Sequence, residues 1–374
     1  MIGLDTGHFV YNYGTKLQAY AMQSLLSQDG KNVEIIQWHQ RDVKLLNGLF
    51  GIVRKINKIR HNYGYKHWWS IYKRYSAIDR FDKKYNIHKF YGTYQDMQQN
   101  VKIYNSVFCG SDQAWLPENI IKHWYTLEYC DENIFKAAYA PSFGIDHIEE
   151  EFQAQYQSFL SRFDALSVRE KSGQKIIQDL IGEKVPVVLD PTLLLDRKDW
   201  DVLKDESKVD LPFEGNYIFC YFLGTNKEHR KKVEKFSEVT GMKIVNLAHF
   251  SEFCEADVGF GDQDLFEVSP QDFIYLIANA KYVCTDSFHC TVFSIQYHKN
   301  FSVFERFSNT DQASTNSRIY SLLSQLGLEK CIVCNGESLK LSNIDYMQVY
   351  KSLSLLRKDS MIYLKSALKG KRNV

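Results

Sequence analysis

Residues 281–304 read KYVCTDSFHCTVFSIQYHKNFSVF. The apolar runs 281–285 and 301–304 have the short, aromatic and β-branched make-up of buried strands, and a helical pattern over 291–297 lies between them. A strand, a helix and a second strand in this order predict a parallel β-α-β unit.

The same alternation continues along the chain in both directions. Further strand-like runs cover residues 33–38, 103–108, 134–139, 165–168, 185–189, 217–222 and 243–247. Further helical patterns cover residues 16–27, 150–162, 174–180, 227–239, 271–279, 318–326 and 346–368. Strands alternating with helices of this length are typical of parallel sheets with crossover helices.

A polar, charged stretch over residues 195–212 separates two such halves. We therefore predict an α/β protein with two Rossmann-like domains that face each other across a cleft. The first would cover residues 1–195, with a basic, aromatic insertion at about 45–90. The second would cover 196–374, with the final helix packing back on the first domain. Because ligands bind at the carboxyl ends of parallel strands, the cleft is the expected site.

Composition excludes several classes of protein. The 374 residues carry a net charge of only +1, which argues against a uniformly basic nucleic-acid binder. No apolar run approaches the ~18 residues of a membrane span, and the first residues lack the build of a signal peptide. We therefore expect a cytoplasmic chain. The single C-x-x-C, Cys331 to Cys334, has no second ligand pair at a suitable spacing, so no metal site is predicted.

Charge is concentrated between residues 54 and 84, where ten Lys or Arg and two acids give a net charge of +8. Aromatic residues are interleaved with these charges. Such a segment suits peripheral contact with an anionic membrane, at the inner face of the cytoplasmic membrane for a cytoplasmic chain. Single-stranded nucleic acid or another anionic partner would suit it too, and so would a solvated helical insertion whose aromatics pack on their own domain.

Polar residues follow several of the predicted strands. Candidate site residues in these loops are Asn12, Gly14, Ser111, Asp112, Gln113, Arg169, Thr285, Ser287 and His289. We expect Gly14 to permit a tight turn before a helix. Arg169 can grip a carboxylate or phosphate with its planar guanidinium, or pair with Glu170. His289 is flanked by hydroxyls and a carboxylate at the start of a helix, where the helix dipole favours anions.

Common catalytic signatures are missing from the sequence. It contains neither the phosphate loop of NTPases nor the dinucleotide fingerprint of dehydrogenases. The H-E-x-x-H pattern of zinc proteases and the G-x-S-x-G elbow of α/β-hydrolases are missing as well.

Six blocks in order nevertheless resemble the polysaccharide pyruvyl transferase family, from residue 12 to about residue 328. The blocks are Asn12-Tyr13-Gly14 with Leu17-Gln18-Ala19, Gly110-Ser111-Asp112-Gln113-Ala114-Trp115, Ala140-Pro141-Ser142-Phe143-Gly144, Ser167-Val168-Arg169-Glu170, Leu189-Asp190-Pro191-Thr192 and Thr285-Asp286-Ser287-Phe288-His289. The resemblance implies a GT-B-like fold. It also implies transfer of pyruvate from phosphoenolpyruvate, without a further cofactor, to a sugar of a surface polysaccharide or its lipid-linked precursor.

On this resemblance His289 is the expected general acid. Arg169 is expected to bind the phosphate or carboxylate of the donor, and Thr285 and Ser287 are expected to contact the donor as well. Asn12, Gly14, Ser111, Asp112 and Gln113 would face the acceptor or close the cleft. Many members of the family have Arg-Leu-His where this chain has Ser287-Phe288-His289, so Arg306 or Arg318 is expected to replace the missing arginine. A GT-B glycosyltransferase that uses a nucleotide sugar, and a non-catalytic glycan-binding protein, are the alternatives.

Overall fold

A computed structural model of the chain describes residues 1–39, 49–249, 253–306, 316–334, 337–341 and 343–370, without the side chains of 49–55, 58, 60 and 62–66. The start of the predicted insertion, at residues 45–48, lies outside the described residues. So do several side chains of the basic segment, including those of Arg54, Lys55 and Lys66.

The first lobe is built around a parallel sheet with the strand order β3-β2-β1-β4-β5. Its strands are β1 (Ile2–Asp5), β2 (Val33–His39), β3 (Ile87–Tyr91), β4 (Ser106–Cys109) and β5 (Phe135–Ala138). Its helices are α1 (Tyr13–Leu26), α2 (Leu49–Phe81), α3 (Tyr94–Asn100), α4 (Pro117–Ile120), α5 (Glu150–Leu160) and α6 (Lys171–Ile181). In register, Gly3 of the central strand lies opposite Glu34 and Val107.

The second lobe is built around a second parallel sheet with the order β11-β10-β9-β6-β7-β8. Its strands are β6 (Tyr217–Tyr221), β7 (Lys243–Leu247), β8 (Gln263–Leu265), β9 (Tyr282–Thr285), β10 (Asn300–Phe304) and β11 (Ile332–Val333). The remaining helices are α7 (Arg197–Lys204), α8 (Lys227–Thr240), α9 (Pro270–Asn279), α10 (Phe288–Gln296), α11 (Ser317–Leu326) and α12 (Tyr346–Leu368).

The β-α-β unit predicted from residues 281–304 is present as β9, α10 and β10. Two other expected strands, 165–168 and 185–189, form only isolated bridges, Ala137 with Ala165 and Val168 with Val187. The polar stretch after residue 195 contains α7 rather than a continuous loop. Its Trp200 is fully buried, with the ring centroid 4.9 Å from that of Phe293, so a helix with one apolar face fits there.

The two lobes share a hydrophobic core, because one buried cluster contains residues of both sheets, among them Leu4 and Val283. Helix α1 of the first lobe packs directly on the second. The Tyr13 ring stacks on Phe273 at 5.0 Å between centroids, and its hydroxyl donates to the Val268 carbonyl at 2.9 Å. These contacts hold the carboxyl ends of the two sheets close together.

The last helix, α12, reaches back across both lobes. The Tyr363 hydroxyl donates to the carbonyl of Ala138 at 2.8 Å, and the Leu189 amide donates to the Ser360 hydroxyl at 2.9 Å. Arg357 donates to the carbonyl of Leu193 at 2.6 Å. The chain from residue 189 to residue 193 is therefore held in place by the C-terminal helix.

The basic, aromatic segment lies mostly in α2, which contacts the second lobe. Arg74 is fully buried and donates to the carbonyls of Ala248 (2.9 Å), Leu265 (2.8 Å) and Phe266. Lys73 forms an ion pair with Glu267 of the second lobe at 3.0 Å. Trp69, on the same helix, is half exposed. Among the described residues, no helix is long and apolar enough to cross a bilayer.

We predict that Arg74→Met lowers the free energy of unfolding by about 2–4 kcal/mol, because three carbonyl oxygens of the second lobe lose the charged donor of a buried side chain. The measurement is the urea unfolding midpoint. Arg80→Met is the matched control, since Arg80 is exposed on the same helix and its loss should change stability by less than ~0.5 kcal/mol. Equal effects of the two substitutions would contradict the bridging role of Arg74.

Candidate active site

A cavity of about 280 Å³ lies between the lobes, at the carboxyl ends of both sheets. The first lobe lines it from the loops after β1 and β4 and from the start of α1, and the second lobe from the loops after β6, β9 and β10 and from α11. Polar residues that line it are Asn12, Thr15, Ser111, Asp112, Gln113, Glu118, Asn119, Ser287, His289, Arg306 and Arg318. This is the place where open parallel sheets bind ligands.

The turn from β9 into α10 presents His289 to the cavity. Thr285 fixes this turn, since its hydroxyl donates to the Tyr221 carbonyl at 2.6 Å and accepts from the Ser287 amide at 3.0 Å. Ser287 is the N-cap residue of α10, and its hydroxyl accepts from the Cys290 amide at 3.4 Å. Thr285 is fully buried and does not line the cavity, so its hydroxyl serves the turn.

Asp286 connects this turn to the loop after β6. Its buried carboxylate accepts from the amides of Leu223 and Gly224, both at 2.7 Å. Arg306 donates to the Asp286 carbonyl at 3.0 Å, and its guanidinium lies 3.7 Å from the Asp286 carboxylate. The second-lobe wall of the cavity is thereby held as one unit.

Gly14 lies within the first turn of α1, so the expectation that it provides a tight turn is wrong. The imidazole of His289 packs so closely on its backbone that a Cβ at residue 14 would overlap the ring. Glycine is needed here for close approach of the two lobes rather than for an unusual backbone angle.

Asp190 lies behind His289 and is fully buried. One carboxylate oxygen, Oδ2, accepts from Arg169 at 2.6 Å and from the Ser111 hydroxyl at 3.3 Å, and it lies 3.6 Å from Nε2 of His289. The other, Oδ1, accepts from the Thr192 hydroxyl at 2.6 Å. Burial opposes ionisation, but His289 and Arg169 outweigh it and hold the pKa of Asp190 well below its ordinary value.

Arg169 is close to His289 but lies behind the cavity wall. Its side chain is 2% exposed, and it contacts Asp190 and also Asp112 at 3.3 Å. Its guanidinium stacks 4.4 Å from the ring centroid of Phe288. The sequence left two roles open for Arg169, binding a carboxylate or phosphate of a ligand and pairing with Glu170. The structure makes Arg169 the partner of three carboxylates, since the Glu170 carboxylate also lies 4.0 Å from its guanidinium.

Arg306 and Arg318 both line the cavity. The Arg318 guanidinium is buried and lies 3.7 Å from the Asp112 carboxylate. Burial, together with repulsion from Arg169, lowers the pKa of Arg318 to about 9 despite the nearby carboxylate. A buried guanidinium that lines a cavity suits an anionic ligand there.

Asp112 links the lobes at the opposite wall. Its backbone has φ 67°, an uncommon conformation for a residue with a side chain, and its Oδ2 accepts from the Thr15 hydroxyl at 2.8 Å. Burial raises the pKa of Asp112, but His289, Arg169 and Arg318 outweigh it, so the carboxyl has a pKa below its ordinary value. Asn12 caps α1 by accepting from the Thr15 amide at 3.2 Å.

The structure thus brings together most of the residues singled out from the sequence, whereas Gly14, Arg169 and Thr285 lie outside the cavity lining. Sequence reasoning missed Asp190, Thr15, Phe9 and Trp124 as site residues. Asp190 is part of the Leu189-Asp190-Pro191-Thr192 block, which was a usable signal. Phe9 and Trp124 lie outside every recognised block.

Comparison with known proteins identifies a matching family. The family described as polysaccharide pyruvyl transferase matches residues 12–308. A search against curated protein sequences found no significant match.

Solved structures that resemble the chain include three UDP-N-acetylglucosamine 2-epimerases. The Neisseria meningitidis enzyme, bound to UDP-GlcNAc, has 9% identity and a TM-score of 0.50, covering 98% of this chain and 93% of that one. A Listeria monocytogenes protein assigned to the same activity has 10% identity and a TM-score of 0.54, with coverages of 98% and 89%. The Rickettsia bellii enzyme has 9% identity and a TM-score of 0.50, with coverages of 98% and 96%. Likeness at this identity concerns the fold alone, and it confirms the predicted GT-B-like class.

We predict that sulfate binds this cavity and that Arg318→Met weakens its binding by at least ~tenfold, because the cavity then loses a buried guanidinium that lines it. Isothermal titration calorimetry at pH 7.5 measures this. Arg197→Met is the matched control, since Arg197 is an exposed arginine outside the cavity, and it should bind sulfate as the unsubstituted protein does. Equal sulfate affinities of Arg318→Met and the unsubstituted protein would contradict the role of Arg318.

Proposed function

Because the chain belongs to the polysaccharide pyruvyl transferase family, we propose that it transfers pyruvate from phosphoenolpyruvate to two hydroxyl groups of a sugar, forming a ketal. The observation that supports this most directly is that His289, Arg306 and Arg318 line one cavity between the lobes. The reaction requires a proton donor next to a site for a small, highly charged anion, and these residues supply both.

Arg306 and Arg318 bind the donor in this proposal. Phosphoenolpyruvate carries a phosphate and a carboxylate, and guanidinium groups match the geometry of both. The backbone amides at the start of α10 add donors on the same side of the cavity. Ser287 stands where many family members have an arginine. In this proposal Arg306, after β10, and Arg318, in α11, take over the role of that arginine.

His289 protonates the methylene carbon of phosphoenolpyruvate. The carbon that bears the phosphate then has oxocarbenium character, and a sugar hydroxyl attacks it. Asp190, 3.6 Å from the imidazole, orients the ring. Arg169 acts through Asp190, so we assign it a positioning role rather than a direct contact with the donor.

A second sugar hydroxyl closes the ketal as phosphate leaves. The methylene group gains one proton, both hydroxyls lose theirs, and the remaining proton departs with the phosphate, so the overall reaction is balanced without an oxidant or a reductant. Asp112, Asn12, Ser111 and Gln113 line the first-lobe side of the cavity, where they can hydrogen-bond the acceptor.

The acceptor in this proposal is a sugar of a surface polysaccharide or of its lipid-linked precursor. Such a precursor is held at the inner face of the cytoplasmic membrane, which fits the prediction of a cytoplasmic protein with peripheral contact through residues 54–84. That contact stays a prediction. Since Arg74 and Lys73 are engaged by the second lobe, the remaining cations of α2 and Trp69 would have to supply it.

We predict that His289→Ala lowers phosphate release from phosphoenolpyruvate by at least ~100-fold, because the methylene carbon loses its proton donor. The assay supplies a panel of glycan acceptors and identifies products by mass. His147→Ala is the matched control, since His147 is an exposed histidine outside the cavity, and it should keep full activity. Turnover by His289→Ala near that of the unsubstituted protein would remove the assigned role. Release of a nucleoside diphosphate from a nucleotide sugar, with no pyruvyl transfer, would favour the glycosyltransferase alternative.

A further inference from the structure

A second and larger cavity, of about 900 Å³, lies in the first lobe beside the candidate active site. It occupies the carboxyl ends of β1 and β2, where Asp5, Thr6 and His8 line one side and Trp38 and His39 another. Its size is that of a pocket for a whole small molecule rather than a gap in packing. The reaction proposed above leaves it unused.

The two cavities share a wall. Phe9, Trp124 and Tyr125 line both of them, and the loop after β1 contributes Gly7 to the first cavity and His8 to the second. The rings of Phe9 and Trp124 meet edge to face at 6.1 Å between centroids, and each residue is 44% exposed. A ligand that fills both cavities would therefore pass across two exposed aromatic rings.

The loop that carries Trp124 is held in an uncommon backbone conformation. His123, Tyr125 and Leu127 have φ of 55°, 61° and 52°, in the left-handed region that side chains disfavour. Several contacts enforce it: the Trp115 indole donates to the Tyr125 carbonyl at 3.2 Å, and the Thr126 hydroxyl donates to Glu128 at 2.8 Å. Strain of this kind is retained mainly at functional sites and ligand clamps.

The lining combines aromatic faces with hydrogen-bonding groups. Trp38 and Tyr94 meet edge to face at 6.5 Å, and Tyr94 is 44% exposed. Lys122 lies over the ring of Trp124 at 5.0 Å, and Glu128 lines the same cavity. A pyranose ring suits such a site, since its C–H faces pack on aromatic rings while its hydroxyls take up polar partners. A hydrocarbon tail would displace water from the polar groups of the lining, among them Glu128, without offering them a hydrogen bond.

We propose that this second cavity binds the sugar units next to the one that reacts, so that the acceptor is an oligosaccharide or a longer glycan rather than a free monosaccharide. The inference rests on the proposed function, because the first cavity then holds the donor and the reacting sugar. The strained loop around Trp124 holds the glycan where it passes from one cavity to the other.

The test is binding to an array that displays common bacterial hexoses and N-acetylhexosamines as mono-, di- and trisaccharides. We expect at least one trisaccharide to bind ten or more times more tightly than its monosaccharide. Tyr94→Ala, which changes only the second cavity, should remove most of that gain, and so should Trp124→Ala. Trp69→Ala is the matched control, since Trp69 is an exposed tryptophan on α2 outside both cavities.

Sulfate binding to each variant shows whether the first cavity is intact, so loss of glycan binding through misfolding is detected. Equal binding of trisaccharides and monosaccharides, or a gain that survives Tyr94→Ala in a folded variant, overturns the inference. Trp124-dependent binding of farnesol with no gain from longer glycans would assign the cavity to a lipid tail and overturn it as well. Because no turnover is measured, trisaccharide binding in a protein that does not use phosphoenolpyruvate would show a glycan site in the second cavity while the proposed function failed, so the two failures are distinguishable.

Discussion

The site depends on the contacts that the buried carboxylate of Asp190 makes with Arg169 and His289. It accepts from Arg169 at 2.6 Å and lies 3.6 Å from the imidazole of His289, so one anion positions both groups. Removing one member of such a buried pair leaves the other charge uncompensated, at a cost of roughly 3–5 kcal/mol. Arg169 therefore supports the site from behind the cavity wall, while Arg306 and Arg318 line the cavity itself.

These contacts also join the two lobes. Asp190 and Arg169 belong to the first lobe and His289 belongs to the second. The His289 ring also packs against Gly14 of α1, in the first lobe. The cavity is thus assembled only when the lobes are in contact, and α2 and α12 hold them there through Arg74 and Tyr363. Neither helix lines the cavity with a residue that the structure describes, so both contribute to the site indirectly, by holding the lobes together.

The sequence predicted the alternating α/β architecture well, because periodic apolar runs such as 281–285 and 346–368 report local structure directly. It did not predict β1 (Ile2–Asp5) or β3 (Ile87–Tyr91), which are short and whose sequences are partly polar. The roles of Arg74, Arg169 and Gly14 depend on partners far away in the chain, so a linear pattern could not reveal them. His289 was identifiable because its turn chemistry and helix start are local.

The most direct test of the account is a crystal structure with phosphoenolpyruvate bound in the absence of acceptor, which prevents turnover. The account predicts donor oxygens within hydrogen-bond distance of Arg306 and Arg318, with the methylene carbon about 3.5 Å from the imidazole of His289. It would be contradicted by a donor bound outside this cavity, or by one bound there with its phosphate towards His289 and its methylene carbon facing away.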